Sequence, residues 1–179
     1  MPILLKSPED TMALGELLAQ AMLPSPVRAL YLFAELGGGK TTFTRGFVSA
    51  FPGGEQAEVS SPSFTLYNAY PTAPEILHAD LYRLSEGTSL PEELEDMLET
   101  GNSFLVLEWP QYLAQTCYNP ERLEVHLSYI RENLTKSLDN SDESIYTYRL
   151  ATIKACGEAA RSLLRELKPR LEKRFPPID

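Results

Sequence analysis

Apolar residues recur at helical spacing near the start of the chain. Ser7 precedes a proline and two acids, and the apolar positions that follow at three- and four-residue steps are Leu14, Leu17, Leu18, Ala21 and Met22. A hydroxyl N-cap, a first-turn proline and early acids are typical of a helix start. The pattern therefore predicts a helix over residues 8–22, which Pro24 and Pro26 end.

Continuous or alternating apolar runs predict strands farther along the chain. The unbroken run Ala29–Ala34 is typical of a strand buried on both faces. Later runs bounded by Pro, Gly, Asn or Asp predict strands at 64–70, 76–81, 103–107, 123–130 and 144–153. Helical patterns lie at 41–50, 91–99 and about 157–174.

Strands and helices alternate through the whole chain, which predicts the α/β class. We expect a single domain over residues 1–179, a three-layer sandwich whose mostly parallel central sheet has antiparallel strands at one end. Residues 131–143 lack a sustained period and are predicted to form a long hairpin loop between the last two strands. The sequence contains no evident repeat or domain boundary.

Composition and charge narrow the function classes. With 179 residues, 43% hydrophobic and 23% charged, the chain is typical of a soluble globular protein. At this length folding buries roughly 70% of the unfolded surface, so no structural metal or disulfide is required. A net charge of -9 disfavours unaided binding to nucleic acid or anionic membranes unless bases cluster locally.

One basic cluster occurs, in the last predicted helix. There, five bases accompany the acids Glu166 and Glu172: Arg165, Lys168, Arg170, Lys173 and Arg174. Cations near a helix C-terminus also suit the helix dipole while remaining solvated.

Cysteine usage and the absence of long apolar runs favour a reducing cytoplasm. Cys117 and Cys156 lie far apart without a second pair, which indicates neither a disulfide scaffold nor a zinc site. The three consecutive apolar residues 3–5 are too few for a signal peptide. No run approaches the ~18 apolar residues of a membrane span, so we expect no membrane association.

A glycine-rich segment connects a predicted buried strand to a predicted helix. Residues 34–42 have the sequence AELGGGKTT. In this context glycines let backbone N–H groups surround phosphate oxygens, and the helix N-terminus favours an anion. Lys40 would reach the β- and γ-phosphates, and Thr41 would offer its hydroxyl to Mg²⁺. The segment predicts a P-loop and a P-loop NTPase-like fold, the alternative being a glycine-rich turn without a ligand.

Two acids end apolar runs and are candidates for the magnesium site. Mg²⁺ beside a P-loop usually needs an acid at the end of a second strand, often through water. Asp80 ends one run and Glu108 ends another, although either fits an ordinary surface acid. The intervening hydroxyl-rich segment Ser60–Thr65 fits a switch that senses the γ-phosphate or a simple turn.

Two ring side chains lie next to these acids in sequence. Trp109, the single tryptophan, is either a core anchor or a stacking platform beside the site. His78 is predicted to be a buried, hydrogen-bonded histidine rather than a catalyst.

Several motifs occur in an order and spacing that identify a family. They are Glu9–Thr11, residues 35–42 with Arg45 and Gly46, SPSFTL at 61–66, HADLYRL at 78–84 and EWP at 108–110. Together they resemble the TsaE family of small bacterial ATPases, which takes part in forming threonylcarbamoyladenosine beside the anticodon of tRNA. The chain departs from the family pattern in its longer last hairpin and at Ala34, Gly38 and Ser63.

The resemblance implies roles for individual residues. The nucleotide-binding set, for ATP or ADP, would be Thr11, Gly37, Gly38, Gly39, Lys40, Thr41, Thr42 and Arg149. Within it, Thr11 matches a threonine near the nucleotide and Arg149 an arginine near the adenine. Thr41 and Glu108 would hold Mg²⁺, and Asp80 would be a catalytic acid near the metal. The implied catalytic set is Lys40, Asp80, Glu108 and Trp109.

The resemblance also implies partners that fit the acidic charge. The chain would be a Mg²⁺-dependent ATPase subunit that acts with TsaB and TsaD and meets tRNA only through that complex. Two alternatives remain: a small-molecule P-loop kinase, and an ATP-gated interaction module whose hydrolysis is incidental. No arginine-rich lid is evident around residues 115–135 to favour a kinase, and no Asn- or Thr-Lys-x-Asp segment favours a GTPase.

Overall fold

The computed structural model describes residues 2–99, 101–130 and 148–176. Its strands are β1 (Pro2–Leu5), β2 (Ala29–Ala34), β3 (Tyr67–Tyr70), β4 (Glu75–Asp80), β5 (Ser103–Glu108), β6 (Arg122–Tyr129) and β7 (Arg149–Cys156). Its α-helices are α1 (Pro8–Met22), α2 (Lys40–Ser49), α3 (Glu92–Glu99) and α4 (Glu158–Arg174). Within the described ranges, no helix is long and apolar enough to cross a membrane.

The strands form a single sheet in the order β1-β7-β6-β2-β5-β4-β3. Its centre is parallel, with β2 between β5 and β6 and with β4 beside β5. The predicted antiparallel end is present where β7 joins β6 and β1. A second antiparallel pair, β3 with β4, lies at the opposite edge. The predicted α/β fold is confirmed, with antiparallel strands at both edges.

Two apolar clusters, one on each face of the sheet, make the three layers. The larger cluster joins α1, α2 and α4 to the sheet through side chains such as Leu14, Phe47 and Leu167. The smaller cluster joins α3 to the other face through Leu94 and Leu105. Because α1, α2 and α4 cover one face of the sheet and α3 packs on the other, the central strands are apolar throughout, as their sequences indicated.

The structure differs from the sequence predictions at several strands, and β7 continues to Cys156, three residues past the predicted end at residue 153. β1 was not predicted, because its four residues are too few to show a pattern, yet Ile3 and Leu5 are buried and β1 pairs with β7. The strand predicted from residue 64 begins only at Tyr67, because the Leu66 amide donates to the Pro62 carbonyl, 2.8 Å away, in a turn. The predicted hairpin loop 131–143 and residues 144–147 lie outside the described residues.

Replacing Gly46 with alanine is expected to lower the free energy of unfolding by about 3 kcal/mol. An added Cβ would lie 2.1 Å from the Met12 carbonyl oxygen, so α1 and α2 would have to move apart. Urea unfolding measures the loss. Gly87→Ala is the matched control, since nothing lies within 4 Å of its added carbon and only its left-handed backbone is strained. Equal stability of Gly46→Ala and the native chain would contradict the close approach of the helices.

Candidate functional site

The glycine-rich loop between β2 and α2 lines an open cavity of about 390 Å³. Gly37 and Gly39 have φ angles of 73° and 100°, which favour glycine. A Cβ at Gly38 would lie 2.7 Å from the Ala34 Cβ, so only glycine fits there. The first amides of α2 have no partner within the helix and carry the positive end of its dipole. The loop therefore has the shape and polarity of an anion cradle.

Ala34 fits this loop although it replaces the leading glycine of the family pattern. It is the last residue of β2, and its φ is not among the positive values that the described residues contain. The Ala34 carbonyl accepts a hydrogen bond from the Lys40 ammonium at 3.2 Å. Alanine is therefore compatible with the strand end.

The Lys40 side chain is buried and folds back over its own loop. Its Nζ donates to the carbonyls of Ala34 and Glu35, each at 3.2 Å, and lies 4.0 Å from the centroid of the Trp109 ring. Burial lowers the pKa of Lys40, and the nearby Glu108 and Asp80 carboxylates partly offset that shift. The ammonium is thus held at the cavity wall by carbonyls, a ring face and two acids.

Asp80 and Glu108 are neighbours at the same edge of the sheet. They are register partners at the ends of the parallel strands β4 and β5, and both line the cavity with Thr41. Their exposed fractions are 5% and 2%, which rules out ordinary surface acids. Asp80 accepts hydrogen bonds from the Ser61 hydroxyl at 3.0 Å and the Tyr82 amide at 2.9 Å. Glu108 Oε1 lies 2.9 Å from His78 Nε2, so the predicted burial and hydrogen bonding of His78 are confirmed.

These oxygens fit a magnesium ion shared with a phosphate ligand. The Thr41 hydroxyl and the carboxylates of Asp80 and Glu108 are hard donors of the kind Mg²⁺ takes. Among the described residues, no group of three or more His, Cys, Asp or Glu side chains forms a metal cage. Mg²⁺ commonly keeps waters and binds through one or two carboxylates together with substrate phosphates. The donor set matches that pattern.

Trp109 is both a core anchor and part of the cavity wall. Its side chain is half-buried against the smaller apolar cluster, and its ring centroid lies 4.9 Å from that of Tyr82. Its backbone is left-handed, with φ 57° and ψ 46°, a conformation that costs a non-glycine residue about 1 kcal/mol or more. The strained turn directs the ring towards Lys40 immediately after Glu108.

Two residues of the predicted nucleotide-binding set, Thr11 and Arg149, lie near the loop but are not among the residues that line this cavity. Thr11 is buried, and its Cγ2 lies 3.7 Å from the position of a Cβ at Gly39. The Arg149 guanidinium lies 4.0 Å from the ring centroid of Tyr129, whose hydroxyl is 3.1 Å from the position of a Cβ at Gly37. Thr11 is therefore close to the loop at Gly39, and Arg149 is connected to it through Tyr129.

Three aromatic or basic residues at the site had no predicted role. Tyr82 and Arg83 line the cavity beside Asp80, and Tyr129 lies against the loop. Tyr82 and Arg83 belong to the motif HADLYRL, and their position just after Asp80 in that motif could have marked them as site residues. Tyr129 ends β6, whose pairing with β2 brings it to the loop, and no local motif marks it.

The known proteins to which this chain is similar belong to one family. The family model "Threonylcarbamoyl adenosine biosynthesis protein TsaE" matches residues 5–137. The chain belongs to the TsaE family. A TsaE protein of tRNA threonylcarbamoyladenosine biosynthesis from Rickettsia felis is 36% identical over 148 residues, covering 79% of this chain and 82% of that protein. The TsaE protein of Bacillus subtilis is 34% identical over 123 residues, covering 66% of this chain and 72% of that protein.

A solved structure supports the fold. The crystal structure of Bacillus subtilis YdiB superimposes with a TM-score of 0.67 and 24% sequence identity, covering 95% of each chain. The family resemblance and the fold predicted from the sequence are therefore both confirmed. The TsaE family model ends before β7 and α4.

The emission of Trp109 is expected to report the charge of Lys40, because the ammonium lies 4.0 Å from the ring centroid. Burial lowers the Lys40 pKa, so its deprotonation should occur at lower pH than that of an exposed lysine. A fluorescence titration should show this transition in the native chain and not in Lys40→Met. Lys6→Met is the control because Lys6 is exposed. Identical titrations of the native chain and Lys40→Met would contradict the contact.

Proposed function

We propose that this TsaE-family chain is a Mg²⁺-dependent ATPase subunit that supports formation of the threonylcarbamoyl group on the adenosine adjacent to the tRNA anticodon. It would act in the cytoplasm with TsaB and TsaD and meet tRNA through that complex. The observation that carries the proposal is the convergence of the glycine loop, Lys40 and two buried carboxylates on one cavity. Family membership supplies the pathway.

The loop and Lys40 would hold the ATP phosphates. The α2 amides would donate to phosphate oxygens, and Lys40 would exchange the carbonyls of Ala34 and Glu35 for the β- and γ-phosphates. Thr41 and Glu108 would hold Mg²⁺, which when bound neutralises charge on the phosphates. The Lys40 ammonium would then stabilise the negative charge that develops on the phosphate oxygens as the bond between the γ-phosphate and ADP breaks.

Asp80 would orient the attacking water. Its carboxylate is held by the Ser61 hydroxyl and the Tyr82 amide at the cavity wall. Water would attack the γ-phosphorus, the bond to the ADP oxygen would break, and the water proton would pass to Asp80 or to the released phosphate. Because Ser61 also lines the cavity, a bound γ-phosphate would compete for its hydroxyl. Hydrolysis would then alter the segment that contains Ser61.

An ATP-gated interaction module is the second candidate. Its support is the exposure of two large apolar side chains, Leu36 at 71%, which lines the cavity, and Phe64 at 85%. The kinase alternative has less support. A kinase would need arginines from a lid to reach the phosphates, but Arg122, in the region 115–135, pairs with Glu124 at 2.7 Å and does not line the cavity.

Calorimetry is expected to show ATP binding that requires Lys40. With Mg²⁺, the native chain should bind ATP in preference to GTP, and Lys40→Ala should lose at least about tenfold in affinity because a charge-assisted contact is worth about 1.5–3 kcal/mol. Lys6→Ala, at an exposed lysine, is the matched control. The measurement is repeated with TsaB and TsaD. Absence of binding under both conditions would refute the proposed function.

Asp80→Asn is expected to lower kcat for ATP hydrolysis by about 10²–10⁴ while nucleotide affinity remains near the native value. The amide keeps the shape of the side chain but is a poor proton acceptor. Glu86→Gln on the following exposed loop is the control. Multiple-turnover formation of the modified nucleoside with TsaB and TsaD is measured in parallel. If Asp80→Asn abolished hydrolysis but preserved modification, the gated module would replace the catalytic role.

A further inference from the structure

Glu108 is a buried carboxylate with one side-chain donor. Its Oε1 lies 2.9 Å from His78 Nε2, and across the described ranges no other side chain donates to it. A buried carboxylate is costly unless hydrogen bonds compensate it. The contact with His78 therefore determines the orientation of the Glu108 carboxylate. Because His78 engages Oε1, Oε2 is the oxygen available to a ligand in the cavity that Glu108 lines.

His78 is itself held from its other side. It is fully buried in β4, and Nδ1 lies 3.3 Å from the hydroxyl of Tyr70 in β3. The two rings are stacked, with centroids 6.1 Å apart. Because an ionised carboxylate only accepts hydrogen bonds, His78 must present Nε2–H to Glu108. The ring therefore has a defined orientation between Tyr70 and Glu108.

Tyr70 extends this chain of contacts to the segment Ser60–Ser61. The Tyr70 hydroxyl has one proton, which it can donate to the Ser60 carbonyl oxygen or to His78 Nδ1, each 3.3 Å away, and Ser61 donates its hydroxyl to Asp80 at 3.0 Å. One short segment thus contacts Asp80 directly and reaches Glu108 through Tyr70 and His78. Any displacement of the segment changes the surroundings of both carboxylates.

We propose that His78 is a positioning residue that orients Glu108 towards the metal, and that Tyr70 couples this orientation to the segment Ser60–Ser61. The inference rests on the proposed Mg²⁺-nucleotide function. Outer residues that hydrogen-bond a metal ligand fix its orientation, and their loss typically costs about 10–100-fold in metal affinity or activity. His78 would not touch nucleotide, water or metal.

Nuclear magnetic resonance tests the contact itself in the ligand-free protein. The chain has two histidines, so ring N–H signals can be assigned with His78→Asn and His126→Asn. We expect a slowly exchanging Nε2–H signal from His78 that shifts in Glu108→Gln. An unprotonated Nε2 in the native chain would overturn the assignment of His78 as the donor.

A magnesium titration tests the positioning role. Trp109, the single tryptophan, follows Glu108, and its fluorescence is recorded with ADP bound. His78→Asn, whose amide is too short to reach Glu108, should raise the half-saturating Mg²⁺ concentration about tenfold and leave Mg²⁺-free ADP affinity unchanged. His78→Gln, whose amide reaches the position of Nε2, should restore most of the affinity. Tyr70→Phe should fall between His78→Gln and His78→Asn.

The controls separate this inference from the proposed function. His126→Asn should leave the Mg²⁺ titration unchanged. If the native chain responds to ADP and Mg²⁺ but His78→Asn binds Mg²⁺ equally well, the positioning role fails and the proposed function stands. If His78→Asn and His78→Gln lose ADP and Mg²⁺ affinity alike, His78 is only structural and the inference is overturned. If the native chain shows no response to ADP or Mg²⁺, the proposed function fails, and the proposed role of His78 in orienting Glu108 towards the metal fails as well.

Discussion

The structure depends on placing one ammonium and two carboxylates together at the buried edge of a parallel sheet. Lys40, Asp80 and Glu108 are exposed by 6%, 5% and 2%, values that would be prohibitive for isolated charges. Each is compensated by a different part of the chain: loop carbonyls for Lys40, Ser61 and Tyr82 for Asp80, and His78 for Glu108. The site therefore exists only if the fold holds each of these hydrogen-bonding groups next to its charged partner.

Parallel pairing of the central strands provides that register. Asp80 lies opposite Glu108, and Leu32 of β2 is also a partner of Glu108, so the loop that follows β2 emerges beside both acids. Although they line a cavity, Lys40, Asp80 and Glu108 expose little surface to water, so protein groups must compensate their charges.

Local patterns predicted the parts of the site that are contiguous in sequence. Glycines between a buried strand and a helix predicted the phosphate-binding loop. The positions of Asp80 and Glu108 at the ends of apolar runs predicted that both acids belong to the site. Non-local parts had no such pattern. The contact between His78 and Glu108 joins residues 30 positions apart, and Tyr129 reaches the loop only through strand pairing. β1 was missed because pairing with β7, rather than its own short sequence, makes it a strand.

The arrangement around Lys40 also explains why a site of this kind would be sensitive to small movements. Without a ligand the ammonium is satisfied by the Ala34 and Glu35 carbonyls and by the ring of Trp109, which is held there by a left-handed backbone. Under the proposed function a bound phosphate would have to replace those contacts, so the net gain from Lys40 would be the difference between two favourable states rather than the full strength of a new ion pair. Affinity would then depend on how well Mg²⁺, the loop amides and the Ser60–Ser61 segment act together. A change in any one of these contacts would shift the balance between bound and released nucleotide.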